Sequence, residues 1–262
     1  MPYVERVVPT SQHPPPRLRP LTFLPIVVSG VCAVLVAQMA WKDPRYLLPL
    51  ALILAMTLMP ALLARWRMRR LLMSGDVKRV LGTWEGTIQR VTHQETIAPL
   101  MAATAYASYG WVEAARNALT RAVKGPAWDA AVEQRLFVET LLDTFEGERD
   151  AAMQKAQALA LLPIPDAGWL ARKRIKLLRR GLAALVRAFA HASLDDDTRV
   201  LRKAAGASPL VHWAMRYAAA IVAVDHGKSR EAAELLEGAP AWPQESAFRI
   251  YHDELRARAE AV

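Results

Sequence analysis

The sequence predicts an all-α protein in which a two-transmembrane-helix hairpin precedes an antiparallel helical-repeat solenoid. Hydrophobic residues make up 53% of the 262-residue chain although 23% of its residues are charged, so the apolar residues must be concentrated in part of it. Two long uncharged runs near the N-terminus hold that apolar excess. The rest is rich in alanine and leucine, which favour helices, and it repeats one spacing of glycine, alanine and proline.

Residues 1–20 precede the first apolar run and are expected to form a disordered cytoplasmic tail. Prolines occupy positions 14, 15, 16 and 20, and few residues of the segment are apolar. A segment that can bury so little apolar surface cannot offset the entropy that it would lose on becoming ordered.

Residues 21–65 are predicted to form a transmembrane helical hairpin. The runs Leu21–Trp41 and Tyr46–Ala64 contain no charged residue, and crossing the hydrocarbon core takes about 20 apolar residues. The connection Lys42–Arg45 is short enough for a tight turn, which makes the two helices antiparallel. Two alternatives are a pair of buried core helices and a cleaved signal peptide, although Gln38 is unsuited to a cleavage site after Ala40.

A basic juxtamembrane segment, residues 66–74, follows the second run. Cations mark the cytoplasmic side of membrane helices, so both termini should be cytoplasmic and the hairpin integral to the cytoplasmic (inner) membrane. Arginines at the end of the second run and within this segment are candidate contacts for anionic lipid headgroups. These residues are Arg65, Arg67, Arg69 and Arg70.

Residues 75–262 are predicted to form a helical-repeat soluble domain. Three glycines, each expected between two helices, are followed by alanine five residues later and by proline sixteen residues later. Alanine at this spacing lets two antiparallel helices approach closely, and proline then ends the second helix. Gly75 starts a weaker copy, and Asp195 anchors a degenerate one. The three sets are Gly110, Ala115 and Pro126; Gly147, Ala152 and Pro163; and Gly227, Ala232 and Pro243.

One stretch carries a pattern of small, aromatic and alanine positions at Ala103, Tyr106, Gly110, Val112, Ala115, Leu119, Ala122 and Pro126. Together with the segment His226–Ala239, this pattern resembles the tetratricopeptide repeat (TPR) family. The resemblance covers about residues 75–245 in four or five units, although the family's first-helix tryptophan and glycine are mostly missing. It implies a superhelix whose concave face binds peptides or protein partners. A generic helical-hairpin solenoid and an irregular helical bundle are the alternatives.

A strongly amphipathic helix is predicted from Ala171 to Phe189. Its apolar stripe recurs at steps of three and four residues, and cations occupy much of the remaining surface. These cations are a candidate surface for anionic lipid or for an acidic partner, and the alternative is a solvated face on a core helix. No nucleic-acid-binding motif accompanies them, so nucleic acid is not an expected partner. The stripe is Ala171, Ile175, Leu178, Leu182, Leu185 and Phe189, and the candidate surface is Arg172, Lys173, Lys176, Arg179 and Arg180.

The sequence predicts no catalytic, cofactor-binding or metal-binding residues. No phosphate-binding glycine loop or nucleophile elbow occurs, and no histidine has a second histidine or a cysteine at metal-ligand spacing. The acidic run Asp195–Asp197 lacks the spaced ligands of a calcium loop, and we interpret it as a helix start capped by Ser193 or Asp195. Five tryptophans near the inferred helix ends are expected to be buried there, or else to line the concave groove. They are Trp111, Trp128, Trp169, Trp213 and Trp242.

Together these features predict a membrane-anchored, TPR-like scaffold for protein–protein interaction that has no catalytic activity. The alternative is a non-catalytic subunit of a membrane transport or envelope-assembly complex, in which the hairpin packs against other transmembrane helices. A third hypothesis, an enzyme, would need titratable side chains assembled from several helices. The expected partners are an unidentified protein and the lipid bilayer with its anionic headgroups.

Overall fold

The computed structural model describes Val36, Gln38, Trp41, Arg45 and residues 47–260. Every regular element in these residues is helical, so the all-α prediction is confirmed for the described part of the chain. The α-helices are α1 (Leu47–Met73), α2 (Val77–Ile88), α3 (Gln94–Ser108), α4 (Val112–Arg121), α5 (Pro126–Ala130), α6 (Val132–Glu146), α7 (Arg149–Leu161), α8 (Trp169–Phe189), α9 (Asp197–Ala207), α10 (His212–Asp225), α11 (Ser229–Leu236) and α12 (Ala247–Glu260).

Helix α1 carries the second predicted span. It has 27 residues, and its length and composition are sufficient to cross a membrane. It continues through the predicted juxtamembrane segment, because residues 65–73 are good helix formers and include no proline or glycine. The first predicted span and the predicted tail lie outside the described residues, apart from the isolated positions Val36, Gln38 and Trp41.

The chain divides after Trp66 into two compact units, and the second unit starts with the last two turns of α1. The final carbonyl groups of a helix have no partner within that helix. In α1, the carbonyl of Leu72 accepts a hydrogen bond from Tyr109 Oη at 2.6 Å. The carbonyl of Met73 accepts one from Trp213 Nε1 at 2.8 Å. The end of α1 is therefore held in the second unit by side chains that are distant in the sequence, one in the turn after α3 and one in α10.

Successive helices of the second unit pack as pairs joined by turns. The pairs are α3–α4, α6–α7, α8–α9 and α10–α11. The first helix of each pair also packs on the first helix of the next pair, and α12 continues this order after α10. Each second helix packs on the first helix of the following pair as well. The first helices thus form one layer and the second helices another.

Helices α8 and α10 lie parallel and in a fixed register. A Cβ added to Gly181 of α8 would lie 3.4 Å from the sulfur of Met215 in α10. Beyond the last residue of α8, His191 Nδ1 lies 2.9 Å from a carboxylate oxygen of Asp225, the last residue of α10. Both contacts join residues 34 positions apart, so α10 starts beside Leu178 and the first nine residues of α8 extend beyond it.

Three turns between paired helices contain a glycine at positive φ, a conformation that residues with a Cβ rarely adopt. They are Gly110 (+74°), Gly147 (+86°) and Gly227 (+69°), and the alanine five residues after each, Ala115, Ala152 or Ala232, is fully buried. After α8 the left-handed residue is His191, at φ +52°, and the turn to α9 is longer than the other three. In this degenerate repeat, His191 therefore takes the position that glycine has in the other three, whereas the sequence alignment had placed Asp195 there.

The last helix, α12, joins the end of the chain to the first helix pair. Ser246 Oγ donates a hydrogen bond to the carbonyl of Tyr109 at 2.7 Å, and Ala247 N donates to that of Gly110 at 2.9 Å. The first turn of α12 also enters an aromatic cluster that consists of Phe145, Tyr217, Trp242 and Phe248. The aromatic side chains at this face of the first helices are therefore covered by α12.

Candidate functional site

The buried carboxylate of Asp143, in α6, lies between cations from two neighbouring helices. Arg116 Nη2 of α4 and Lys155 Nζ of α7 are each 2.7 Å from it. Arg116 also donates to Glu146, and its hydrogen bonds to Glu146 and Asp143 raise its pKa. Burial alone would lower the pKa of Lys155, but the contact with Asp143 raises it overall. These charges join α4, α6 and α7, so they stabilise the fold.

Asp197, the first residue of α9, is also buried and paired. Its carboxylate accepts a hydrogen bond from Arg187 Nε at 2.9 Å. The N-cap residue of α9 is Asp196, whose side chain makes no capping bond, so the predicted cap by Ser193 or Asp195 is wrong. Within the described residues, no group of three His, Cys, Asp or Glu side chains could hold a metal ion.

Arg179 is a buried structural residue of α8, with 6% of its surface exposed. Its Nη2 and Nε atoms lie 2.9 and 3.1 Å from Glu133 Oε1. Its guanidinium also donates to the carbonyls of Leu162 and Pro163, which fixes the loop before α8. The inclusion of Arg179 in the candidate lipid or partner surface is therefore corrected, because its donors are used inside the fold.

The other four cations of the candidate surface are exposed, and Ala171 of the predicted apolar stripe is exposed beside them. For all of these residues except Arg180, the reason is the register of α8, whose first nine residues extend beyond the start of α10. Trp169 is 71% exposed, contrary to the expectation that it is buried, and Lys173 Nζ lies 5.3 Å from the centroid of its ring. Leu170 is equally exposed. The exposed cations are Arg172, Lys173, Lys176 and Arg180.

The four juxtamembrane arginines of α1, Arg65, Arg67, Arg69 and Arg70, are exposed. Arg69 lies near the first residue of α10, His212, whose Nδ1 is 3.1 Å from the carbonyl of Ala205. Burial lowers the pKa of His212, and the guanidinium groups of Arg216 and Arg69 lower it further. The basic end of α1 and the start of α10 are therefore close together within the second unit.

A groove of about 610 Å³ between α2, α3 and α4 was not predicted from the sequence. Small and apolar side chains from the three helices line it, together with three carboxamides and two charged side chains, Glu85 and Arg121. These carboxamides form no side-chain hydrogen bond with the part of the chain that the structure describes. The apolar lining includes Leu81, Gly82, Ala98, Ala102 and Tyr106, and the carboxamides belong to Gln89, Gln94 and Asn117. Alanine and glycine give no pattern by which sequence analysis could separate this groove from any other helix surface.

A second cleft, of about 290 Å³, opens where α6, α8 and α10 end beside α12. Phe145, Phe189 and Tyr251 line it, and burial raises the pKa of Tyr251. The contact between His191 and Asp225 at its edge joins the ends of α8 and α10. The ring of Tyr251 in α12 packs against Phe145 and Phe189, so α12 contacts the ends of α6 and α8.

Two exposed apolar residues, Trp169 and Leu170, were missed as part of the basic surface. The signal that could have found them is their position directly before the run of cations.

Comparisons with protein-family models, with curated proteins and with solved structures find no match to this chain.

Proposed function

We propose that the protein is a non-catalytic scaffold for protein–protein interaction, anchored in a membrane by α1 and built as a TPR-like helical-repeat solenoid. Three observations support the repeat architecture: the paired packing of the helices, the glycines at positive φ, and the buried alanines five residues after them. The length and apolar surface of α1 support the anchor. The proposed location is the cytoplasmic (inner) membrane, with a second span within residues 21–41 and both termini in the cytoplasm.

The groove between α2, α3 and α4 is the observation that carries the proposed binding function. A peptide backbone presents both donors and acceptors, and a carboxamide side chain can satisfy both. Gln89, Gln94 and Asn117 offer such groups beside apolar surface. A volume of about 610 Å³ lies within the usual range of ligand sites, so the groove suits a short peptide segment of a partner.

The face at the aromatic cluster is a weaker candidate for the partner site. Phe248 of α12 packs there against Phe145 and Tyr217, at ring-centroid distances of 5.4 and 5.0 Å. A partner at this face would have to displace α12 first, whereas the α2–α4 groove is open.

Anchoring the groove at a membrane raises the local concentration of a membrane-associated partner without any chemical step.

Site-specific photo-crosslinking in native membranes tests this function. A photoreactive amino acid at Asn117 reports on the groove, and one at Arg199, exposed on α9, is the matched position outside it. Gly82→Trp fills the groove, since a Cβ at Gly82 meets no atom within 4 Å. Gly206→Trp, on an exposed helical glycine of α9 with the same free space, is the control.

We expect a discrete protein adduct at position 117 and none at position 199. Gly82→Trp should reduce the adduct about tenfold or more, which corresponds to about 1.4 kcal/mol of binding free energy. Gly206→Trp should leave it unchanged. An adduct at 117 that survives Gly82→Trp, or equal labelling at 117 and 199, would contradict the proposed site.

A further inference from the structure

The N-terminal half of α8 has an excess of positive charge that the fold does not neutralise. Residues 167–194 contain seven Lys or Arg and no Asp or Glu. Two of the seven, Arg179 and Arg187, pair with buried or half-buried acids elsewhere. Arg180, in the second half of the helix, lies near the carboxylate of Asp196. The other four form no ion pair with any residue in the described part of the chain: Arg172, Lys173, Arg174 and Lys176.

Exposed apolar side chains lie beside these cations. Trp169 and Leu170 are each 71% exposed at the start of α8. Leu161, at the end of the preceding helix α7, is 85% exposed. The carbonyl of the next residue, Leu162, accepts a hydrogen bond from Arg179, so Leu161 lies near the middle of α8, and Trp169 and Leu170 are the exposed apolar residues at its start. Tryptophan and leucine next to lysine and arginine are the residues that proteins place in the headgroup region of a bilayer.

The exposed start of α8 is held in place by the rest of the second unit. Arg179 donates to Glu133 and to the carbonyls of Leu162 and Pro163, so the loop before α8 and the middle of α8 are joined. The first nine residues of α8 extend about 13 Å beyond the start of α10 at the helical rise. They therefore form a fixed projection, which loses little conformational entropy on binding a surface.

The projection lies at the same edge of the second unit as the basic end of α1. Trp213, near the start of α10, donates to the carbonyl of Met73 at the end of α1. Helix α8 is parallel to α10 and extends past its start, so both features lie at the edge where α10 begins.

We infer that the first turns of α8 bind the surface of an anionic bilayer, with Trp169 and Leu170 in the interface and the neighbouring cations against lipid phosphates. This contact fits a lipid surface better than an acidic protein, because exposed apolar and cationic side chains are mixed on one projection and share an edge with the end of α1. The inference rests on the proposed insertion of α1 in a membrane. It adds a second contact, through which the domain would be held against the bilayer.

Spin labelling of the full-length chain in vesicles tests this contact. Cys32 is the only cysteine, so Cys32→Ser with Ala171→Cys places one label between the exposed Leu170 and the cations. Lys228→Cys in the same background labels the turn after α10, at its opposite end. Each protein is reconstituted in phosphatidylcholine alone and in phosphatidylcholine with phosphatidylglycerol. The accessibility of the label to oxygen and to a water-soluble nickel complex then reports its depth.

In anionic vesicles we expect the label at 171 to gain oxygen accessibility and to lose nickel accessibility, whereas the label at 228 stays in water. The variants Lys173→Gln and Lys176→Gln should each reduce the ratio of membrane-bound to free α8 about fivefold. Trp169→Gln should reduce it as well. In phosphatidylcholine alone, the label at 171 should remain largely in water.

Flotation and carbonate extraction of the same vesicles separate the two possible failures. A chain that does not remain with the vesicles contradicts the membrane anchor itself. A chain that remains inserted, but whose label at 171 is equally accessible to nickel in both lipid mixtures, overturns the α8 contact and leaves the anchor intact. In that case an acidic protein becomes the better candidate for the exposed cations.

Discussion

The two halves of α8 have opposite surroundings although one continuous helix carries both. In the C-terminal half, Leu182 and Leu185 are fully buried and Arg187 is paired with Asp197. In the N-terminal half, Trp169 and Leu170 are exposed and the cations beside them form no ion pair within the described residues. The apolar stripe continues through both halves, so amphipathic spacing alone does not decide burial. What decides it is how far the neighbouring helix α10 extends.

The largest expected effect contrasts two leucines of α8. Leu182→Ala removes a fully buried side chain and leaves a cavity, which should lower the free energy of unfolding by about 3 kcal/mol. Leu170→Ala should change it by less than about 0.5 kcal/mol, because the side chain is 71% exposed. Chemical denaturation of the full chain in detergent micelles measures both values. Equal losses for the two variants would contradict the division of α8 into buried and exposed halves.

A second contrast uses two cations three residues apart. Arg179→Met leaves the carbonyls of Leu162 and Pro163 without a donor and should cost about 2 kcal/mol, a figure reduced because Glu133 is partly exposed. Lys176→Met should be neutral within about 0.5 kcal/mol. The same denaturation measurement applies. If Lys176→Met proved the more destabilising, the assignment of Arg179 as the buried cation would fail.

Substituting two glycines should change the free energy of unfolding by smaller amounts, with opposite signs at the two positions. A Cβ at Gly181 would lie 2.6 Å from the Cβ of Ala204, so Gly181→Ala forces α8 and α9 apart and should cost about 1 kcal/mol net of its better helix propensity. Gly206→Ala meets no atom within 4 Å and should stabilise the protein by about 0.5 kcal/mol. Thermal unfolding followed by circular dichroism compares them. Stabilisation by both substitutions would show that α8 and α9 are not in close contact at Gly181.

The smallest expected effect is a pH dependence of the free energy of unfolding, caused by His212 at the start of α10. His212 lies beside Leu178 there, and burial lowers its pKa below the unfolded value of about 6.5. The unfolded chain therefore binds the proton more readily, and the stabilisation is complete above that value and lost as the pH falls below it. Unfolding free energies measured from about pH 7 to about pH 5 should fall more steeply for the wild type than for His212→Gln. Parallel curves would place His212 in solvent.

Much of the architecture follows from local spacing. The stripe of α8 and the alanine positions after Gly110, Gly147 and Gly227 depend on residues within one helix or one turn, so periodicity predicts them. For the described residues, the sequence also correctly predicted an all-α fold with an apolar helix long enough to cross a membrane in its second uncharged run. These are properties that neighbouring residues determine.

The candidate surfaces depended on contacts that spacing does not encode. Arg179 looks like its neighbours in the sequence, but its partner Glu133 is 46 positions away. Trp169 was expected to be buried because tryptophan usually is, and its exposure follows from the register between α8 and α10. The lining of the groove between α2 and α4 includes four alanines and a glycine, and such small residues occur at close approaches of helices as readily as at an open surface.

The tie between α12 and the first helix pair has a consequence for the biosynthesis of this protein. Tyr109 and Gly110 are translated 137 residues before Ser246 and Ala247, which bind their carbonyl groups. During that interval the carbonyls rely on water, and the rings that Phe248 will cover stay exposed on the nascent polypeptide. A product truncated ahead of α12 keeps this aromatic surface open, which gives chaperones and proteases a means to distinguish it from the finished chain.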